Sequence, residues 1–296
     1  MMMLDKHLAR CAPECRRLDA DHWELALANG HALAVSVRHD DGFLLLDAPT
    51  GVTPAPDRLV ALLEGCGTLP AAVKYALCRG SSAVRLRAEF PLPEEGAADR
   101  IRQNLAGIRS ALDRLHASGS CEPAAESAVC PDPEGDRQAV LSGLPELLKE
   151  AGWNYHERPG GTLLADLETG SHFFQAEVDL YGAGARFRVE LHRGDNAAEA
   201  LLQALCLYLL EANAALRFTR GFLERAGEHI AAGFEVRLED APTPAEAAHA
   251  LAAVSVACRH CAKEMEVLKD AALAGIYRSA RCPSITQEKE LDPCQK

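Results

Sequence analysis

The chain has 296 residues, 48% of them hydrophobic and 25% charged, a balance that excludes fibrous and wholly disordered classes and suits two globular domains. Its formal net charge of −12 argues against nucleic acid or an anionic membrane surface, which are held by summed attraction to phosphates, and tolerates basic or neutral peptide segments better.

Residues Leu4 to Leu18 predict a short charged helix broken at Pro13, and the start lacks the apolar core of a secretory signal. Strands are expected at His22 to Ala28, His31 to Arg38 and Phe43 to Asp47. Asn29-Gly30 and Asp40-Asp41-Gly42 separate them and supply the positive backbone dihedrals of tight hairpins. After a Pro- and Gly-rich stretch, Asp57 to Glu64 predicts a short helix. Strands Ala72 to Arg79 and Ala83 to Phe90 turn through Gly80-Ser81. A helix from Glu94 to His116 follows, with Ile101, Leu105, Ile108, Leu112 and Leu115 along one face. Residues 118–142, rich in Ser, Pro, Glu and Ala, read as a linker.

The second half predicts a helix at Leu144 to Ala151 and strands at Trp153 to Glu157, Thr162 to Leu167, His172 to Leu180 and Ala185 to His192. In the last of these, apolar Phe187, Val189 and Leu191 alternate with Arg186, Arg188 and Glu190, which buries one face and wets the other. Asp195 to Ala214 is a helix apolar around most of its circumference, and its most apolar stretch, Ala200 to Leu210, is about half a bilayer in length and flanked by Glu199 and Glu211, which makes it a core helix and not a membrane span. Strands Leu216 to Glu224 and Glu228 to Glu239 lead to a closing helix opened by Thr243-Pro-Ala-Glu246, a capping box with proline in the first turn. Its core stripe is Ala247, Leu251, Val254, Cys258, Cys261, Met265 and Leu268. The tail from 276 onward reads as flexible.

The halves repeat. Trp23, Gly30, Leu33, Val37, Phe43 and Leu44 recur 130 positions later as Trp153, Gly160, Leu163, Leu167, Phe173 and Phe174. Lys74, Leu77, Val84, Glu89, Leu92 and Leu105 recur at an offset of 146 as Arg220, Leu223, Ile230, Glu235, Leu238 and Leu251. The difference, 16 residues, is assigned to a longer middle in the second copy. Duplication on this scale predicts two similar α+β domains with helices packed on antiparallel sheets, residues 1–117 and 143–275, joined by 118–142 and followed by a tail, 276–296.

No catalytic constellation is shared by the copies, and no enzyme activity, cofactor or metal is expected. The eleven scattered cysteines fit reduced cytoplasmic thiols. Cys258-Arg-His-Cys261 has half the spacing of a zinc site, but both thiols fall on the core stripe in register with Leu112 and Leu115.

Three words in the sequence carry a resemblance: Glu211-Ala-Asn-Ala-Ala-Leu-Arg-Phe218, Ala88-Glu-Phe-Pro-Leu-Pro93 and Thr243-Pro-Ala-Glu246. With the element order, they make residues 20–116 and 144–270 resemble bacterial type III secretion chaperones of the effector-binding kind and the related YbjN-like domains. The resemblance implies small acidic homodimers joined through the middle helix and the strand after it. Here the two copies would lie on one chain, a monomer acting as a pseudo-dimer, with Leu59, Leu62, Leu63, Leu201, Leu205, Leu209 and Leu210 in the seam. The implied function is non-enzymatic and cytoplasmic, holding an extended segment of a partner. The alternative is a YbjN-like regulatory protein binding a folded partner. Strand addition and apolar grooves would do the holding, with Val35, Val37, Phe173 and Phe174 as candidate protein-binding residues.

Overall fold

The computed structural model describes residues 2–12, 14–27, 33–40, 43–55, 58–78, 83–92, 96–117, 143–159, 162–169, 172–195, 199–227, 229–268 and 270–281. The expected linker 118–142 and the tail beyond 281, with Cys282 and Cys294, lie outside them, as do the turn residues Asn29-Gly30, Asp41-Gly42, Gly80-Ser81 and Gly160-Gly161.

The first copy runs α1 (Met2–Cys11), β1 (Glu14–Arg17), β2 (His22–Leu27), β3 (Leu33–Asp40), β4 (Phe43–Pro49), α2 (Arg58–Cys66), β5 (Val73–Leu77), β6 (Val84–Pro91) and α3 (Ala97–Ala117). The second runs α4 (143–150), β7 (Tyr155–Glu157), β8 (Leu163–Thr169), β9 (His172–Tyr181), β10 (Gly184–Asp195), α5 (Glu199–Ala215), β11 (Arg220–Ala226), β12 (His229–Leu238) and α6 (Pro244–Val267). A further helix, α7 (Ala271–Arg281), closes the described chain. Each copy builds a six-stranded antiparallel sheet, and the orders β1-β2-β3-β4-β6-β5 and β7-β8-β9-β10-β12-β11 are the same.

Register corrects the front half of the repeat. Trp23 pairs with Val37 and Leu163 with Val178, so β2 matches β8 and β3 matches β9, at offsets of 140 and 141 rather than 130. The 130 offset had slipped the meander by one strand. Period-2 alternation survives such a slip, because neighbouring hairpin strands share the same inside-outside pattern. What hid the slip is β1: its sequence, Glu-Cys-Arg-Arg, is short and charged and falls in the segment expected to be helical. The extra length of the second copy lies in the middle helix, 17 residues in α5 against 9 in α2, because β10 is longer than β4 only by as much as the connection after it is shorter.

The inner face of the first sheet is dry. Trp23, Leu25, Val35, Val37, Leu44, Leu46, Leu86 and Ala88 are buried there beneath α1 and α3. Trp23 Nε1 donates to Asp5 of α1 at 2.7 Å, and the Tyr75 hydroxyl donates to the Ala111 carbonyl of α3 at 3.0 Å. In the second sheet Leu163, Leu167, Val178, Phe187 and Val189 meet α4 and the stripe of α6, where Leu251, Val254 and Cys258 are buried. The capping box forms as written: Glu246 N–H donates to Thr243 Oγ1, and Thr243 N–H donates back to Glu246 at 2.8 Å. Gly233 lets β10 and β12 close, since a methyl group there would collide with the Val189 carbonyl.

The middle helices cross over. α5, expected to need cover on more than one side, packs on β5 of the first copy, on α2 and on its own β11, while α2 packs on β11 of the second copy. Leu59, Leu62, Leu63, Leu205, Leu209 and Leu210 are buried in one apolar cluster that spans both copies, with Leu201 at its margin. α7 corrects the proposed flexible tail at its start. Residues 276–281 are helical and lie against α5, where Tyr277 meets Tyr208 edge-on, Arg278 donates to Gln203, and Arg281 pairs with Glu211 at 3.8 Å.

Candidate functional site

The outward residues of the first sheet are mostly polar, with Leu45 among them. They form two rows across the strands: His22, Arg38, Leu45 and Glu89, then Ser36, Asp47, Arg87 and Lys74. Over their far end lie the last residues of α5 and its connection to β11, residues 214–219. Rows and connection enclose a cleft of about 340 Å³.

The first copy grips that connection. Lys74 Nζ donates to the carbonyls of Leu216 at 2.8 Å and Thr219 at 2.7 Å, and Arg87 donates to that of Ala214. Glu89 accepts from Arg217 and from the Phe218 N–H, the latter at 3.1 Å. Phe218 is a non-glycine residue at φ 60, a conformation that L side chains disfavour. Its ring is held between Phe43 at 4.4 Å and His249 at 4.6 Å.

The grip is reciprocal. Arg220, which stands where Lys74 stands in the first copy, reaches the carbonyls of Leu69 and Pro70, and Arg237 donates to that of Gly67 at 2.9 Å. Glu239 accepts from the Ala71 N–H at 3.1 Å. Between the two grips sits the fully buried Asn213. Its amide donates to the Tyr75 carbonyl at 2.8 Å and its oxygen accepts from the Gly221 N–H at 2.6 Å. Tyr75 and Gly221 are equivalent positions at the offset of 146, so one carboxamide bridges the same point of both copies. This is the residue-to-residue reciprocity of a two-fold interface, written within one chain.

Charge is balanced differently on the two sides. In the second copy the outward arginines are paired: Arg186 with Asp179 at 2.6 Å, Arg188 with Glu224 at 2.6 Å, and both Arg220 and Arg237 with Glu235 at 2.8 Å. Burial alone would raise the Glu235 carboxyl, but the two guanidiniums outweigh it and hold it below the usual carboxylate range. In the first copy Asp47 is taken by Arg85 at 2.7 Å and Arg87 at 3.2 Å, and Glu89 by Arg217. Lys74 is left with neutral carbonyls as its hydrogen-bond acceptors. Burial pulls its ammonium down from 10.5 to about 8, with Arg87 adding to the fall and Glu89 opposing it.

The four residues expected to bind protein do not form one surface. Val35 and Val37 are buried in the first core and are corrected: they occupy the inward positions of β3, beneath the helices, and no groove exposes them. Phe173 is 59% exposed at the start of β9, and Phe174 beside it is half-buried, with His172 stacked on its ring at 6.2 Å. Among the described residues, the other exposed large apolar side chains are Leu18, Val256, Leu273 and Ile276, of which the last two share α7.

Cys258 and Cys261 are buried core thiols, and Cys261 donates to the Cys258 carbonyl at 3.2 Å. Burial raises both, Cys261 to about 12. Among the described residues no three His, Cys, Asp or Glu side chains converge as metal ligands, and no helix is long and apolar enough to cross a membrane.

Fold and site thus define a duplicated α+β chain whose copies clasp each other through a charged seam. Compared with known proteins, the chain matches no family model, no curated sequence and no solved structure.

Proposed function

We propose that the chain is a non-enzymatic, cytoplasmic binding protein that holds an extended segment of a protein partner on a scaffold resembling two fused type III secretion chaperone subunits. The observation that carries this reading is the pattern of strand edges. In each copy the inner end strand, β5 or β11, is covered by the middle helices, whereas the outer end strand, β1 or β7, has no further strand beside it among the described residues. An open edge offers unpaired N–H and C=O groups in a row, which an added strand can pair. Both edges are short and charged, with Arg16 and Arg17 on β1 and His156 and Glu157 on β7, which discourages indiscriminate pairing. The seam of middle helices and following strands adds support, since it is the arrangement the resemblance implies. Open edges suit an extended segment better than the folded partner of the YbjN-like alternative.

Hydrogen exchange of the full chain, with and without a segment recovered from a captured partner, tests the reading. Protection of the outward amides of Cys15 and Arg17, or of Tyr155 and Glu157, lost on Arg17→Pro or Glu157→Pro while the melting temperature is kept, is expected, because the ladder turns these N–H groups away from β2 and β8 and proline removes the donor that an added strand needs. A folded partner that protects neither edge favours the regulatory alternative. Steady turnover of a small molecule by the purified chain would replace both with an enzyme.

A further inference from the structure

We propose that the cleft on the outer face of the first sheet is a binding site for an oxyanion, a carboxylate or a phosphate, held by Arg38 and Lys74. The cleft is walled by the outward rows of the first sheet and by residues 214–217 of the second copy, and its volume, about 340 Å³, is that of a small-ligand site.

Four cations line it, Arg38, Lys74, Arg87 and Arg217, against two carboxylates, Asp47 and Glu89. Both carboxylates are already engaged, Asp47 by Arg85 and Arg87, Glu89 by Arg217 and the Phe218 N–H. Lys74 uses two of its three N–H donors on carbonyls. Arg38 has no hydrogen-bond or ion-pair partner among the described residues, and its Nε is shielded from solvent without an acceptor. A chain of net charge −12 therefore keeps two cations facing one cavity with their charge unspent. Guanidinium fork and ammonium together match the oxygens of a carboxylate or phosphate.

The second copy is the internal control. The position of Arg38, across from Leu45 in the β3–β4 pairing, is taken there by Asp179, across from Arg186 in β9–β10. Asp179 closes an ion pair with Arg186 at 2.6 Å. The duplicated site thus has a self-neutralised version and one in which the carboxylate is replaced by a cation, and the missing anion is what a ligand would bring. A shielded polar group without a partner costs stability, and retention of Arg38 with its Nε in that state is better explained by a ligand than by packing.

The site is independent of strand addition at β1 or β7. It is tested by calorimetric titration of the full chain at low ionic strength, with inorganic phosphate, with succinate and with a terminally blocked peptide bearing one aspartate. One saturable site per chain is expected. Arg38→Gln should weaken it roughly ten- to hundredfold, the effect of losing a charge-assisted hydrogen bond. Arg38→Lys, which keeps charge and loses the fork, should fall between, and supplies the comparison if Arg38→Gln does not fold. Arg259→Gln, which removes an exposed charge on α6, should leave affinity within about twofold. Binding of phosphate or succinate marks a free small anion as the source, and binding of the peptide alone marks a partner's side chain. Absence of saturable binding by all three, or an equal effect of Arg38→Gln and Arg259→Gln, overturns the proposal.

Discussion

Asn213 is the residue on which both copies lean. Replacing it by Leu strands a buried carbonyl on Tyr75 and a buried N–H on Gly221, and should cost about 2–4 kcal/mol in denaturant unfolding. Lys74 gives a pH signature. Its folded-state pKa of about 8 lies below the ordinary 10.5, so between those values the unfolded chain binds the extra proton and this group's contribution to stability rises with pH. The buried thiols act in the opposite sense. Cys66, Cys206, Cys258 and Cys261 are raised above 9.0, so the stability they confer is complete below pH 9 and lost as pH climbs past it. The difference between the native chain and Lys74→Met isolates the lysine. It should tilt toward the native chain from pH 8 to 10.5, and a flat difference would show that the ammonium is not desolvated. The seam residues were visible in the sequence without being understood. Lys74 and Arg220 are cations repeated at a fixed offset, both buried, and a cation kept inside two equivalent strands marks a buried polar contact.

At the scale of elements, legibility followed the strength of the local signal. The capping box of α6 and the alternation of β10 are dense patterns, and both elements lie where expected. β1 carries no alternation, and only its pairing with β2 makes it a strand. α7 was obscured by the polar tail around it, although Ala274 and Tyr277 fall on one face at helical spacing, Ala274 buried and Tyr277 packed against the core. Truncation before Asp270 should uncover the α5 surface at Gln203, Tyr208 and Glu211, lowering the melting temperature and raising binding of an apolar dye. Tyr277→Ala should reproduce part of this, roughly 1–3 kcal/mol. An unchanged melting temperature after truncation would mean that α7 adds nothing to the packing of α5.

Across the whole molecule, duplication was readable because hydrophobic periods recur, most plainly in the back halves, and the identical strand orders express it. The mutual clasp was less readable. Alternation says which side chains leave the core, but nothing local says that the outward face of one copy will close on a connection of the other. β5 is buried along its entire length by elements of both copies. Residues 1–117 and 143–281, produced separately, should therefore each self-associate or precipitate, and should recover a soluble 1:1 complex when mixed, as seen by analytical ultracentrifugation. Two well-behaved monomers that ignore each other would show the seam to be dispensable.

The opposite signs of Arg38 and Asp179 have a genetic consequence. In an assembly of two identical subunits, every mutation is installed twice, and a substitution useful on one side must be tolerable on the other. Encoding both sides in a single reading frame lifts that constraint: one side can keep a neutral, self-sufficient surface while the other accumulates changes, and selection can act on each alone. A duplicated chain can therefore take a specificity on one side that a symmetric assembly would have to carry on both.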